Sequence, residues 1–265
     1  PGCYGHNGSD DAALDAALLA RAYPGRPDSL KWTRANEHTW EPYGTGMVMH
    51  MQASLSSAGE VIAWNHDVWG YAHFCRSRAG GESSGLLAAL KLAEPYSNPQ
   101  PRPELAPQVG GHRNADQLYA FPQKRIVTHF IPRSPLRTSA LRGLGAFAIV
   151  FAIESFMDEL AHSAGIDPLE FRLNHLDDQR AQTVLQAAAE KANWGNPAQT
   201  RKEARAWGIA FAQYKNRQCY TAVAVELEVD RENGHIQLER VIIAADAGQI
   251  VSADGLGNQL EGSFT

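Results

Sequence analysis

The 265-residue chain is 44% hydrophobic and 20% charged, the balance of a globular protein with room for one large or two medium domains. A net charge of -5 and a pI near 6.1 leave no basic footprint, so nucleic acid is set aside as a partner. Cys3, Cys75 and Cys219 stand far apart with no Cys-x-x-Cys pair, so neither a zinc site nor an iron–sulfur cluster is encoded here.

Ser9 precedes Asp10, Asp11 and an Ala/Leu run reaching Arg21, which predicts a helix with a side-chain cap and acidic residues favoured at its positive end. Tyr23-Pro24-Gly25 ends it. From Met47 to Leu55 the residues alternate, with Met47, Met49, Met51, Ala53 and Leu55 on one face, as in a strand. A turn at 57–60 leads into a second β-rich run, Val61 to Trp69, so the pair is a predicted hairpin. The stretch 80–114 is rich in Gly, Pro and Ser and reads as a long surface excursion.

Ile149, Ile153, Phe156, Met157 and Leu160 fall on one face of a predicted long helix, and Glu154, Asp158 and His162 form a polar stripe along it. Gly165 closes that helix, and Asp167-Pro168-Leu169-Glu170 opens the next with a cap, a proline at the first helical position and a capping-box glutamate. Residues 193–205 read as a polar linker. A second hairpin follows: Tyr220 to Val229, a turn over 230–234, and His235 to Ala245. The final residues, 259–265, look helical and stop without a terminating signal, so both ends are expected to be cut. The longest apolar stretches, 145–153 and 241–245, are far shorter than the ~20 residues of a membrane-spanning helix. Strands mixed with helices, without strict β–α alternation, predict an α+β (mixed α/β) fold.

Three motifs could carry chemistry. The opening Pro1-Gly2-Cys3-Tyr4-Gly5-His6-Asn7-Gly8 places three glycines before a helix start, where backbone can approach a ligand and unpaired N–H groups can meet an anion or oxo group. Thr138 to Ala146 sets Arg142, a permanently charged planar donor, beside Gly143 and Gly145. The segment from Asp246-Ala247-Gly248 to Gln259-Leu260-Glu261-Gly262 leaves a strand and enters a helix, and Gln259 could hydrogen-bond a heterocycle through both amide groups. Read alone, each has an ordinary structural explanation: a tight turn, a helix-entry turn with a solvated arginine, and a capped helix. The ten histidines show no ligand spacing, so no protein-held metal is expected.

Taken in order and separation, the three motifs resemble the large subunits of the xanthine dehydrogenase/aldehyde oxidase family, in which a Gly-Gly-Phe-Gly-like loop, an Arg-Gly-Phe-Gly-like turn and an Asp-x-Gly … Gln-x-Glu-Gly segment succeed one another. The resemblance covers essentially the whole chain. Gly2 to Gly8, Glu154-Ser155-Phe156-Met157-Asp158-Glu159-Leu160-Ala161 and Asp167 to Arg172 look most like the branch that holds the large subunits of nicotinate dehydrogenase and isoquinoline 1-oxidoreductase.

This resemblance implies the molybdenum-cofactor-binding domain fold in two α/β lobes, 1–176 and 177–265, incomplete at both ends. It implies that Tyr4 and Gly5 lie beside the metal, that Arg142 supplies a contact near it, that Gln259 binds the pterin and that Leu144 occupies the place of a substrate-stacking Phe. The implied cofactor is molybdopterin cytosine dinucleotide, whose dithiolene holds the molybdenum in place of protein ligands. A small [2Fe–2S] subunit is the implied partner, with a cytochrome c or flavin as onward electron acceptor. The implied reaction is water-dependent hydroxylation of an N-heteroaromatic substrate; an aldehyde oxidoreductase of the same family and a non-catalytic structural remnant stand as alternatives. Ser252-Ala253 replaces the usual Asn-Pro, and Trp40-Glu41-Pro42-Tyr43 lacks the arginine of purine-specific members, so xanthine is not the expected substrate. The family's Gly-x-Gly-Glu glutamate is expected beyond Gln259, so no catalytic residue is assigned within the chain and the fragment alone is expected to be inactive. No targeting segment is in view, which leaves open a cytoplasmic or a periplasmic, membrane-associated location.

Overall fold

The computed structural model describes residues 11–73, 85–98, 100–195 and 205–263. Tyr4, Gly5 and the expected Ser9 cap lie outside them. In chain order the elements are α1 (Asp11–Ala22), α2 (Arg34–Trp40), β1 (Met47–Leu55), β2 (Val61–Gly70), β3 (Lys124–Phe130), α3 (Gly145–Ala164), α4 (Pro168–Asn174), α5 (Gln179–Ala192), β4 (Arg205–Gln213), β5 (Tyr220–Val229), β6 (Ile236–Asp246) and α6 (Ala253–Glu261). The strands form two three-stranded sheets, ordered β1-β2-β3 and β4-β5-β6. Helices and sheets are thus mixed as the sequence predicts.

Both predicted hairpins form, for local reasons. The β1–β2 turn closes through Ser56 N–H to Glu60 O at 2.8 Å and Gly59 N–H to Ser56 O at 3.0 Å. Gly59 has φ +83°, a backbone conformation that L side chains rarely adopt, and the turn needs glycine for that reason. At the β5–β6 turn Asp230 accepts from Gly234 N–H through its backbone carbonyl and from Glu232 N–H through Oδ1.

Two compact units are built from separate stretches of chain. The first comprises Pro1–His50, His66–Ala115 and Ile126–Ile149; the second comprises Met51–Asn65, Asp116–Arg125 and Val150–Thr265. In the first, α1 packs against a single 3-10 turn at Ala88–Lys91, and Val68, Ala115, Ala140 and Ile149 are buried. In the second, α5 lies across all three strands of the β4-β5-β6 sheet. Ala181, Val184, Leu185, Ala188 and Ala192 form its buried face, and Ile209, Ala224 and Ile242, which are register partners, are buried in the sheet. A separate aromatic cluster stacks Trp64 on Phe121 at 4.9 Å, with Phe156 at 5.3 Å from Trp64.

Asp167 caps α4 by accepting from Leu169 and Glu170 N–H, and Asp178 caps α5 by accepting from Arg180 and Ala181 N–H. At the end of α4, His175 holds two elements together. Its Nδ1 faces Phe171 O at 2.7 Å and its Nε2 accepts from Val61 N–H at 2.9 Å, which assigns the ring as the Nδ1–H tautomer.

Along the polar stripe of α3, Glu154 is buried and paired with Arg172. Three sequence expectations need correction. The 80–114 stretch is only partly a surface excursion: Gly110, Arg113 and Asn114 are buried, with Arg113 Nε and Asn114 N–H both satisfied by Gln108. The expected linker at 193–205 gives way at Arg205 to β4, which pairs antiparallel with β5 over its full length. The last helix ends at Glu261, where Gly262 serves as its C-cap.

Candidate functional site

The approach to Arg142 is a strand-like floor. Thr138 bridges Tyr43 in parallel fashion, Tyr43 N–H donates to Arg137 O at 2.9 Å and Ser139 N–H donates to Tyr43 O at 3.0 Å. The hydroxyls of Thr45 and Thr138 both donate to Ala72 O, at 3.0 and 2.8 Å. Thr138, Ser139 and Ala140 are buried, so these three residues have little freedom to shift.

The turn itself is tight. Leu144 N–H donates to Leu141 O and Ala146 N–H to Gly143 O, both at 3.1 Å. Gly143 has φ +87° and Leu144 φ +50°. A leucine in the left-handed region costs roughly 1–2 kcal/mol, which the surrounding contacts must offset. Gly145 then begins α3 against the backbone of the 110–112 turn: a Cβ on it would lie 2.5 Å from Gly111 O and 2.8 Å from Gly110 O. Arg142 is exposed at the tip and Leu144 is half-buried beside it. The structure therefore brings together the two residues expected at this turn.

Behind Gly111 lies a cavity of about 100 Å³ lined in part by Tyr71, His73, Glu104, His112, Thr128 and Phe130. His73 is buried, its Nε2 has no hydrogen-bond partner among the described residues, and burial together with the Arg113 charge pushes its pKa down to about 4. The ring is neutral at physiological pH. Burial also raises the Glu104 carboxyl.

Upstream of the turn, an anchor that sequence reasoning missed joins Arg137 to Asp11, the first residue of α1. Arg137 Nη1 donates to Asp11 Oδ1 and Oδ2 at 3.0 and 2.9 Å and to Gly85 O at 2.8 Å, while Nη2 donates to Trp40 O. Asp11 Oδ1 also accepts from Leu87 N–H at 2.7 Å. Asp11 is only 3% exposed and the Arg137 side chain 18%.

The second unit holds the Asp-Ala-Gly segment and Gln259. Asp246 ends β6, where Arg180 grips it side-on, Nε to Oδ2 at 2.7 Å and Nη2 to Oδ1 at 2.6 Å, while Gly248 N–H donates to Oδ1 at 2.9 Å. The Arg180 and Gly248 hydrogen bonds hold the Asp246 carboxyl down at about 2. Tyr220 lies under the Arg180 guanidinium at 4.6 Å and donates its hydroxyl to Asp178 at 2.9 Å. Ser252 caps α6 by accepting from Gly255 N–H, and Gln259 is exposed on that helix.

Among the described residues no group of three or more His, Cys, Asp or Glu side chains could hold a metal ion. Among the side chains exposed at the two motifs are the Arg142 guanidinium in the first unit and the Gln259 amide in the second. Taken separately, a guanidinium suits a phosphate or oxo oxygen and a primary amide suits the edge of a heterocycle, so each is compatible with part of a phosphate- and heterocycle-bearing group.

Comparison with known proteins bears on the family. Two family profiles described as molybdopterin cofactor-binding domain match residues 70–176 and 137–265. A nicotinate dehydrogenase subunit of Pseudomonas putida is 35% identical over 99% of this chain and 22% of its own length. The beta subunit of isoquinoline 1-oxidoreductase from Brevundimonas diminuta is 26% identical over 99% of this chain and 31% of its own. The chain thus spans less than a third of either relative. The solved aldehyde oxidoreductase of Desulfovibrio gigas superposes with a TM-score of 0.51 at 20% identity, covering 88% of this chain and 24% of that one, a likeness of fold.

Proposed function

Since the chain belongs to the molybdopterin cofactor-binding family of xanthine dehydrogenase and aldehyde oxidase type, we propose that it is part of a molybdenum hydroxylase acting on an N-heteroaromatic compound. The observation that carries the substrate class is the 35% identity to the nicotinate dehydrogenase chain along 99% of this one. The overall change is R–H + H2O → R–OH + 2 H+ + 2 electrons, with the electrons leaving through a [2Fe–2S] partner subunit toward a cytochrome c or flavin acceptor. When bound, molybdopterin cytosine dinucleotide supplies the redox chemistry.

The chain's own part is binding and orientation. Arg142 gives a fixed cationic donor on a turn with little slack, suited to a cofactor oxygen. Gln259 gives a donor and an acceptor for the pterin edge. Leu144 gives apolar surface to the substrate pocket, and Tyr4 with Gly5 completes the shell at the metal. The proposed lobes are 1–176 and 177–265; the first family match ends at residue 176 and the second, 137–265, runs across it.

The test uses the full-length protein co-produced with its partner subunit. Molybdenum and acid-released cytidine monophosphate in near-equal amounts, with label from isotopic water entering nicotinate or isoquinoline, are the expected results. A preparation holding neither molybdenum nor cytidine monophosphate would overturn the proposal, and turnover of aldehydes alone would reassign the substrate.

A further inference from the structure

Resting on that functional reading, we propose that Arg137, held by Asp11, is a positioning residue that sets the Arg142 turn in register with the start of α1. One guanidinium binds three segments at once: Asp11 at the start of α1, Trp40 O at the end of α2, and Gly85 O. Its own backbone carbonyl accepts from Tyr43 N–H, three residues past Trp40, so the end of α2 and the stretch that follows it are both tied to the same residue. The planar fork of arginine can satisfy such divergent acceptors; a lysine ammonium is a single point charge on a flexible stem.

The consequence for Arg142 comes from the chain between them. Thr138 is pinned to Ala72 O through its hydroxyl, Ser139 to Tyr43 O through its amide, and Ala140 is buried. Downstream, Gly145 abuts the Gly110 and Gly111 carbonyls. The turn carrying Arg142 and Leu144 is therefore clamped on both sides, at Arg137 and at Gly145. Asp11, the other half of the upstream clamp, follows directly in sequence on the glycine-rich stretch that contains Tyr4 and Gly5. Loss of the pair would release the upstream clamp on the turn while leaving Arg142 itself intact.

The full-length protein with its partner subunit is purified as wild type, Arg137→Ala, Arg137→Lys and Arg205→Ala. The last removes an ion-pair hub with Glu226, Glu228 and Glu239 on the β4-β5-β6 sheet and controls for general loss of stability. Molybdenum per polypeptide, the electron paramagnetic resonance line shape of the reduced molybdenum and the melting temperature are measured on each. Arg137→Ala is expected to lower molybdenum content about tenfold and to alter the line shape of what remains, in the range seen when groups supporting a metal site are removed. Arg137→Lys is expected to recover part of the content, and Arg205→Ala to keep wild-type content and line shape. Should Arg137→Ala fail to fold, Asp11→Asn takes its place, since it keeps the side-chain shape and an acceptor for Leu87. Wild-type content and line shape in these variants would overturn the positioning role, as would an equal loss in Arg205→Ala. A wild-type preparation without molybdenum would remove the functional reading and this inference together.

Discussion

Arg172 and Phe211 donate to the same carboxylate oxygen of Glu154, the guanidinium Nε at 2.8 Å and the backbone N–H at 2.9 Å. The other Glu154 oxygen accepts from the Tyr119 hydroxyl at 2.8 Å, and Arg172 continues to Asp158 and to Glu154 O. The Arg172 side chain has no solvent exposure, and burial followed by the Glu154 charge raises the Tyr119 phenol well above its usual range. Removing one partner strands the other. Glu154→Ala should therefore cost about 3–5 kcal/mol by denaturant unfolding. The double change Glu154→Leu with Arg172→Leu should be the milder of the two; a double variant worse than the single one would show that the charges themselves stabilise the fold.

His73 makes stability depend on pH in a defined window. Its folded pKa is about 4 against the usual 6.5, so between those values the unfolded chain carries a proton that the folded ring refuses. Stability is then full above pH 6.5, falls as pH drops toward 4 and levels off below it, by on the order of 3 kcal/mol for this one group. His73→Phe should flatten the fall in melting temperature between pH 7 and 5. An unchanged slope would mean that His73 takes a proton without penalty.

Asp246 works in the opposite chemical sense. Its folded pKa of about 2 lies below the usual 3.8, so its contribution is present above pH 4 and is lost as pH falls through 2. The main cause is Arg180, followed by Gly248 N–H. In Arg180→Met the carboxyl-carbon resonance of Asp246 should titrate closer to 3.8, and a midpoint still near 2 would transfer the effect to the Gly248 amide.

At the arginine turn, Gly145→Ala should destabilise by roughly 1–3 kcal/mol, because the added methyl meets two backbone carbonyls that cannot rotate away. If backbone rearrangement absorbs the clash, the cost should reappear as weakened cofactor retention. A variant with wild-type melting temperature and wild-type molybdenum content would show that the contact is loose.

What could be read in advance follows from the range over which each signal acts. The strand Met47–Leu55, both hairpins and the α4 cap are local patterns of alternation, glycine or side-chain capping, and they formed as expected. β4 carries no clear alternation because Gly208, Ala210 and Ala212, between Trp207, Ile209 and Phe211, are not polar and so give no apolar/polar contrast. In the sequence, Glu154 stands only as part of a polar stripe, since its partner Arg172 lies on the next helix. The anchors at the candidate site were beyond reach for a further reason: Arg137 and Asp11 are 126 residues apart, and Arg180 and Asp246 are 66. Motif order pointed to Arg142 and Gln259, but nothing local marks the residues that hold their segments in place.

The His175 ring offers a handle on local motion in the second unit. Val61, the first residue of β2, donates its amide proton to a side chain at the end of α4. Solvent can take that proton only when strand and helix end part or the imidazole turns away. Its hydrogen–deuterium exchange rate is thus a single-site clock for opening of that joint, readable apart from the unfolding of either sheet.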